Sequence, residues 1–347
     1  MKYLICQDWR NTSNNHAGIK YLCDKMEKMY PSECTCYTIP VLMPFKKIAV
    51  KNIILKKIQL NIAKIRHKIY VYKIYQKLKQ EIQPGDKIII MEYMEKMFPM
   101  LWFAKKIKRN NPQIAVYGMV HLVPSKLEKA FGDTKFIEWT SCVNKIITLG
   151  SSLTDYFIKK GVNKDRIITS FHYVDRYYFN DDINYSDKPL TIIAMGMQMR
   201  NIGLLKTLVK NNKSTKFIIC EGLSDLSHDF GEYTNVQLIP FVAENKLREL
   251  MSIADISINV MEDTIGSNVI VTSLAMGLAM VNSNVGSIHD YCSDDNSFFC
   301  LSETDFSNAI ETLDKNRDLL YSMKLASRKT ANKFTIEKFY KDLNIEL

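Results

Sequence analysis

The sequence predicts an α/β protein with two doubly wound domains, each a parallel sheet covered by helices on both faces. Short apolar runs typical of strands alternate with helical segments along the whole chain, which is the pattern of parallel sheets. At 347 residues, the chain is too long for one ordinary core. A polar, acid-bearing stretch at 177–188, closed by Pro189, is typical of a linker. We therefore expect domains at 1–182 and 183–330, followed by a C-terminal segment at 331–347.

In the first half, six short apolar runs predict strands, and the segments between them predict helices. The expected strands are Tyr3–Cys6, Cys36–Ile39, Lys87–Met91, Ile114–Met119, Lys145–Leu149 and Ile167–Ser170. The expected helices are Ala17–Met29, Val50–Lys79, Pro99–Lys108, Lys126–Phe131, Thr134–Ser141 and Leu153–Lys160.

The second half repeats this alternation and ends in two charged helices. Its expected strands are Thr191–Met195, Lys216–Cys220, Val236–Leu238, Ile256–Val260, Ala279–Val281 and Phe298–Leu301. Its expected helices are Leu204–Asn211, Glu244–Ile253, Val269–Met276, Asp305–Leu313, Leu319–Lys333 and Ile336–Leu343. Six strands in each half are enough for one sheet per domain.

Composition indicates a globular protein of the cytoplasm. The chain is 46% hydrophobic and 24% charged, and no run is long and apolar enough to span a bilayer. The first ten residues contain no long apolar segment, so no secretory signal is expected. The eight scattered cysteines are then expected to be reduced thiols. Cys34 and Cys36 have no second Cys or His pair at zinc-site spacing, so no metal site is expected.

The positive charge is concentrated in one segment. The net charge is +10, and residues 41–80 contain many lysines and arginines but no acidic residue. Apolar residues recur there in steps of three and four, at Ile54, Ile58, Ile62, Ile65, Ile69 and Tyr72. Such a basic amphipathic helix, at 46–79, predicts docking on an anionic membrane surface, with the protein peripheral on the inner face. The alternative is a helix whose apolar face packs on the sheet and whose basic face is solvated. Nucleic-acid binding is not expected, because no aromatic RNA-binding motif or helix-turn-helix accompanies the charge.

The stretch 254–291 carries the strongest functional signal. A strand is followed by a polar turn that includes Gly266, and a helix of small residues begins after it. The unpaired N–H groups at such a helix start form an anion site. No basic side chain lies between Thr264 and Ile288, so cations for a phosphate must come from elsewhere. The alternative is an ordinary βαβ unit without a ligand.

This stretch resembles the signature of GT-B glycosyltransferases, which have two Rossmann-like domains, and especially that of retaining family 4. The register is kept without gaps at Ala254-Asp255, Asn268, Leu274-Ala275, Gly277, Val281 and Val285-Gly286. The two family glutamates fall on Thr264 and Thr272. Glu262 lies close to the first of these positions and is the candidate acid. The resemblance implies that the domains face a cleft and that the last helix crosses back to the first domain.

In the first domain, the resemblance implies site residues in two strand-end turns. The family has a Gly-Gly turn after the first strand, near the donor diphosphate. This chain has His16 and Gly18 there, and a helix-capping role is the alternative for His16. His121 ends a strand, as a His does in many family members, and is the candidate to bond a sugar hydroxyl or assist proton transfer.

In the second domain, the family places two cations near the departing diphosphate. Those positions fall on Met197 and Ile202 here, and Arg200 and Lys206 are the nearest cations. Arg200 is the candidate for bidentate phosphate contact. A solvated helix start is the alternative for both cations. The remaining candidate nucleotide-sugar contacts are Glu221, Phe241, Thr264, Gly266, Ser267, Asn268 and Thr272.

The resemblance implies transfer of a sugar from a nucleotide-diphosphate donor to a lipid-linked or polysaccharide-precursor acceptor, with retention of configuration and without a metal ion. Glycoside hydrolysis needs a facing carboxylate pair, whereas Glu262 and Asp263 are adjacent and point apart in an extended turn. Two alternatives remain open. One is a non-catalytic GT-B partner or scaffold, since both family glutamates are missing. The other is a sugar-nucleotide epimerase of similar fold.

Overall fold

The computed structural model describes residues 1–8, 16–40, 53–96, 99–185 and 187–344. They divide into two compact units. The first consists of Met1–Leu149, Thr154–Ser170 and the residues from Asp342, and the second of Gly150–Leu153 and Phe171–Lys341.

The chain passes into the second unit after Ser170, ahead of the boundary expected at 182–183. Contacts within the second unit explain this. Val174 N donates a hydrogen bond of 2.9 Å to Phe334 O. Farther along, Arg248 pairs with Asp181 at 2.6 Å. Asp181, one of the acidic residues of the expected linker, therefore helps to attach this stretch to the second unit.

The first unit is built on a parallel sheet of six strands in the order β2-β1-β3-β4-β5-β6. The strands are β1 Lys2–Asp8, β2 Cys34–Pro40, β3 Lys87–Tyr93, β4 Ala115–Val120, β5 Lys145–Thr148 and β6 Ile167–Thr169. The helices are α1 Ile19–Met29, α2 Ile53–Glu81, α3 Met100–Asn110, α4 Pro124–Ala130, α5 Asp133–Ser141 and α6 Ser151–Lys159, the last shared with the second unit. Residues of the central strands, such as Ile88 and Val116, are fully buried because helices cover both faces.

The second unit has its own parallel sheet of six strands, in the order β12-β11-β10-β7-β8-β9. The strands are β7 Thr191–Ala194, β8 Lys216–Gly222, β9 Val236–Pro240, β10 Ile256–Asn259, β11 Ala279–Ser283 and β12 Ser297–Cys300. The helices are α7 Ile202–Asn211, α8 Ser227–Phe230, α9 Glu244–Ser252, α10 Asn268–Ala275, α11 Ile288–Tyr291, α12 Glu303–Lys315, α13 Arg317–Ala331 and α14 Ile336–Asp342. The strand order reverses direction between β10 and β7, a point where ligands bind in doubly wound sheets.

These units confirm the predicted fold class of two doubly wound α/β domains. All twelve expected strands are present, each within two or three residues of its predicted ends. The helices α8 and α11 were not expected, because each is a single turn and too short to show a helical period. The last helix, α14, belongs to the second unit up to Lys341, and only the residues from Asp342 onwards belong to the first unit.

The long helix α2 packs differently from the expected arrangement. Its buried side chains are Ala63, His67, Val71, Ile74, Tyr75 and Leu78. The predicted apolar stripe is instead exposed: Ile58 is 48%, Ile65 58% and Tyr72 50% exposed. The alternative that this stripe packs on the sheet is therefore wrong for these residues. Residues 46–52 of the predicted segment lie outside the described residues, as does the side chain of Ile54. Among the described residues, no helix has the length and apolar character needed to cross a bilayer.

Candidate functional site

In the second unit, the turns after β7 and β10 are joined by backbone contacts. Asn201 N donates to Val260 O at 2.9 Å, and Glu262 N donates to Met199 O at the same distance. Between them, Arg200 forms an antiparallel bridge with Met261. Met199 has a φ of 57°, which a non-glycine residue rarely adopts. The strained turn fixes the backbone position of Arg200 at the edge where the strands end.

The Arg200 side chain is half-buried, and its guanidinium is poorly paired. Its Nη1 donates to the carbonyl oxygen of Cys220, at the end of β8, at 3.2 Å. Its Nη2 is buried and has no hydrogen-bond partner among the described residues. Burial lowers the pKa of Arg200 to about 10, still far above neutral pH. A buried polar group without a partner costs about 1–3 kcal/mol, and more when charged. The arrangement is therefore suited to receive an anion.

Gly196 and Gly222 allow the turn that contains Arg200 to pack closely against its neighbours. Gly196 has a φ of 73°, and a Cβ there would lie 3.0 Å from Cγ2 of Val269, the second residue of α10. Gly222, at the end of β8, has a φ of 61°, and its Cβ would lie 3.4 Å from Met197. The turn after β7 therefore packs between the end of β8 and the first turn of α10.

The first turn of α10 offers backbone N–H groups. Ser267 caps the helix, and its Oγ accepts a hydrogen bond of 3.3 Å from Ile270 N. Helix geometry leaves the N–H groups of Asn268 and Val269 without partners inside the helix. The positive end of the helix dipole lies at the same place. This helix start is the candidate anion site of the strand–turn–helix pattern, and Arg200 stays its candidate cation.

Thr264 and Gly266 shape the turn before α10. Thr264 is buried, its Oγ1 accepts from Gly266 N at 3.0 Å, and its carbonyl oxygen accepts from Ser287 N at 2.8 Å. A Cβ at Gly266 would lie 2.1 Å from the Tyr291 ring, and one at Gly286 would lie 2.0 Å from Thr264 O. At the first family glutamate position, the threonine thus bonds within the turn itself.

At the second family glutamate position, Thr272 is also engaged internally. Its Oγ1 donates to Asn268 O at 2.7 Å and lies 3.2 Å from Val269 O. The side chain is buried and uncharged. It cannot supply a carboxylate for ribose hydroxyls.

Glu262, Glu221 and Phe241 lie at the same edge of the sheet, because they follow or end parallel strands. Glu262 is exposed, and its backbone N–H is used by the turn. Oε1 of Glu221 accepts from Leu226 N at 2.7 Å, which stabilises the loop after β8. Phe241 follows β9 and is 46% exposed.

Lys206 points away from this edge. Its Nζ lies 6.0 Å from the centroid of the Tyr233 ring. Tyr233 lies three residues before the start of β9, near the amino edge of the sheet. The structure therefore does not bring the ammonium of Lys206 together with Arg200.

His172 was missed by sequence reasoning. Its Nδ1 lies 3.1 Å from Oδ1 of Asn268, and its backbone N–H donates to the Tyr291 hydroxyl at 2.9 Å. These contacts place an imidazole beside the first residue of α10. The available signal was its position just after the predicted strand Ile167–Ser170, the same signal that singled out His121.

In the first unit, His121 follows β4, and its Nε2 lies 2.7 Å from Met91 O. A carbonyl only accepts, so Nε2 carries the proton and Nδ1 of the neutral ring is the basic nitrogen. Burial lowers the pKa of His121, and the bond to Met91 offsets this only in part. A neutral imidazole at the end of a strand is suited to accept a hydrogen bond from a hydroxyl group.

His16 and Gly18 stand before α1. Gly18 is the N-cap of the helix and provides no side-chain cap. The His16 ring lies 4.6 Å from the Tyr21 ring, centroid to centroid. The preceding residues, 9–15, lie outside the described residues, so the turn that resembles the family's diphosphate loop is described only from His16 onwards.

No family model matches this sequence, and no curated protein matches it. Solved structures do. Sucrose-phosphate synthase from Thermosynechococcus elongatus is similar with a TM-score of 0.72 at 11% identity, over 99% of each chain. HepE from Anabaena, in complex with UDP and glucose, is similar with a TM-score of 0.70 at 11% identity, over 98% of each chain. The lipopolysaccharide outer core galactosyltransferase WaaB gives 0.67 at 13% identity, over 99% of this chain and 98% of its own.

These likenesses cover nearly the whole of each chain, and their low identities restrict them to the fold. They confirm the expected architecture, whereas membership of retaining family 4 stays a prediction. With two parallel six-stranded sheets matched along their full length, the chain has the GT-B fold of glycosyltransferases.

Proposed function

We propose that this protein is a glycosyltransferase that takes a hexose from a nucleotide-diphosphate donor. The observation that carries the proposal is the poorly paired guanidinium of Arg200, whose Nη2 has no partner among the described residues, in a turn whose Gly196 closely approaches Val269 at the start of α10. The diphosphate of the donor is the anion that is proposed to pair with Arg200. The similar structure of HepE, in complex with UDP-glucose, supports a nucleotide sugar as the donor.

In the proposed reaction, the bond between the anomeric carbon and the diphosphate breaks while a bond to the acceptor oxygen forms on the same face. The acceptor proton passes to an oxygen of the leaving diphosphate, and a nucleoside diphosphate is released. Negative charge develops on that leaving group. Arg200 and the N–H groups of Asn268 and Val269 are proposed to stabilise it, which is the largest contribution available to such an enzyme. We propose that no metal ion is required, because these groups provide the positive charge.

His121 is proposed to form a hydrogen bond with a hydroxyl of the sugar or acceptor. His172 is proposed to orient Asn268 at the helix start. The exposed ring of Phe241 is proposed to contact the nucleoside base, and Glu221 to hold the loop beside it. Lys206 is left out of the proposed chemistry, since its ammonium lies at Tyr233.

Donor turnover tests this proposal. The purified chain is incubated with UDP-, GDP- and ADP-hexoses, with and without a lipid-linked saccharide acceptor, and released nucleoside diphosphate and extended acceptor are measured. The expected result is acceptor-dependent release from one nucleotide class. Release of a free altered nucleotide sugar without an acceptor would identify an epimerase instead.

A non-catalytic GT-B partner is the second candidate function. The observation in its favour is that Thr264 and Thr272 are uncharged and bonded within their own turn and helix. Nucleotide-sugar binding without turnover, over all three donor classes and acceptors, would support this candidate and contradict the enzyme.

We also propose that the acceptor is lipid-linked and that the exposed stripe of α2 docks on an anionic membrane. Its members Ile58, Ile62, Ile65, Ile69 and Tyr72 are each between 37% and 58% exposed, as is the neighbouring Leu55. Basic residues stand next to or between them, at Lys57, Lys64, Arg66, Lys68 and Lys73. Apolar side chains that enter the headgroup layer next to cations are complementary to anionic lipid, at about 1 kcal/mol per basic residue.

A further inference from the structure

Three cysteine thiols converge in the first unit. Cys6 lies on β1, Cys23 on α1 and Cys36 on β2, and their Sγ atoms all lie within 4.8 Å of one another. The Sγ atoms of Cys6 and Cys36 are 3.6 Å apart. Cys6 and Cys23 are fully buried, whereas Cys36 is only partly covered.

The fold brings these thiols together through strand register. Leu4 pairs with Cys36 and Cys6 with Thr38 in the parallel ladder of β1 and β2. Residues two apart on a strand share a face, so Cys6 and Cys36 project to the same side. Helix α1 covers that side with its buried face, which carries Cys23.

A disulfide between the two strands does not fit this register. Strands about 4.8 Å apart and an offset of two residues place the Cα atoms of Cys6 and Cys36 roughly 8 Å apart. A disulfide needs a Cα separation below about 7 Å unless the backbone moves. All three cysteines are free thiols in the structure.

The sulfur spacing fits a shared metal ion. Bonds of about 2.3 Å from zinc to three sulfurs in a plane place the sulfurs about 4 Å from each other. That value lies between the 3.6 Å of Cys6 and Cys36 and the 4.8 Å limit of the set. Soft thiolate ligands select Zn²⁺ and Cu⁺.

We propose that Cys6, Cys23 and Cys36 bind one thiophilic metal ion, of the Zn²⁺ or Cu⁺ class, as a three-thiolate site. Binding replaces the three thiol protons, which pass to solvent, with three metal–sulfur bonds. The partly covered Cys36 provides the entry route. The ion would connect β2 to β1 and α1, the two elements on either side of the turn that contains His16 and Gly18, and so has a structural role.

The test is metal content and cobalt spectroscopy on the full-length protein, purified with a reductant. We expect one zinc or copper per chain, and an intense thiolate-to-cobalt charge-transfer band when Co²⁺ is added to the metal-depleted protein. Cys36→Ser and Cys23→Ala should lose the metal and weaken the band. Cys34→Ser is the matched control, because Cys34 is buried on the same strand but outside the cluster.

A second readout does not depend on the variants folding. Chelation of the unmodified protein should make Cys36 react with an alkylating agent, while the reactivity of Cys34 stays unchanged. Metal-free protein that also shows no cobalt band would overturn the proposal. So would a Cys34→Ser variant that loses as much metal as Cys36→Ser, or a native disulfide within the cluster found by mass spectrometry.

Discussion

Arg200 is the residue on which the proposed chemistry depends most. Replacing it with Ala should lower kcat by about 10²-fold or more, the size expected for one charge-stabilising donor. Arg200→Lys should recover only part, because an ammonium cannot both reach the Cys220 carbonyl and present a second donor as Nη2 does. Steady-state release of nucleoside diphosphate measures both. Arg248→Ala, which removes a partly exposed pair with Asp181, is the control and should stay near the unmodified rate. Equal rates for Arg200→Ala and this control would remove Arg200 from the site.

His121 gives a prediction on pH. Burial lowers its pKa from 6.5, so the unfolded chain binds this proton more readily than the folded protein. The stability that the neutral His121 ring contributes is therefore fully present when the pH is above the pKa of His121 in the unfolded chain. It is lost as the pH falls through the lower pKa of the folded protein. His121→Gln should flatten the fall in Tm between roughly pH 7 and pH 5. A variant whose Tm falls as steeply as that of the unmodified protein would show that His121 is not the group responsible.

Gly266 tests the packing of the site turn. Its φ of 85° and a Cβ position 2.1 Å from the Tyr291 ring mean that an Ala must be strained and must also move Tyr291. Gly161 has a φ of 87° with nothing within 4 Å of its Cβ. Gly161→Ala should cost about 1–2 kcal/mol for the left-handed backbone alone. Gly266→Ala should lower Tm by several degrees more, measured by thermal unfolding. Matching losses of Tm in the two variants would contradict the close approach.

At the scale of elements, the local sequence pattern predicted the strands well. It does not show which side chains from distant parts of the chain come together. A run such as Lys87–Tyr93 is apolar enough to be recognised alone. Lys206 is a candidate because it is one of the nearest cations to the family positions, whereas its ammonium lies 6.0 Å from the ring of Tyr233, which is distant in sequence. The cluster of Cys6, Cys23 and Cys36 also depends on contacts between residues that are distant in sequence. Its members come from two strands and a helix, and no ligand spacing along the chain reveals it.

The helix α2 carries the prediction on membranes. Ile65→Glu should weaken sedimentation with anionic vesicles several-fold, because Ile65 is 58% exposed within the apolar stripe. Ile137→Glu is the matched control, since Ile137 is 61% exposed on α5, outside the stripe. Binding of the unmodified protein should also weaken as salt is raised, since exposed charges are screened. Equal loss in both variants, or no binding by the unmodified protein, would contradict docking through α2.

At the scale of the whole molecule, the resemblance predicts where the candidate site lies, although the residues that the family uses there are largely absent. Backbone geometry follows from small residues such as Gly196 and Gly266, which sequence shows directly. The charged side chains of the family do not recur in register. Arg200 was found because it was the nearest cation in the right turn, whereas His172 was passed over although it also follows a predicted strand.

The affinity of the whole chain for a nucleotide should depend on the phosphate groups of that nucleotide. Because the candidate site consists of a guanidinium and helix-start N–H groups, a nucleoside diphosphate should bind and the matching nucleoside should not. Binding to the folded state alone stabilises by about 2.7 kcal/mol at a ligand concentration one hundred times Kd, which raises Tm by a few degrees for each folded unit of this size. Thermal unfolding with UDP, GDP, ADP and their nucleosides measures this. We expect one diphosphate to raise Tm, its nucleoside to have little effect, and Arg200→Ala to abolish the shift while Arg248→Ala keeps it. Equal shifts with nucleoside and diphosphate would mean that the base, and not the anion, provides the affinity, and the role given to Arg200 would then be wrong.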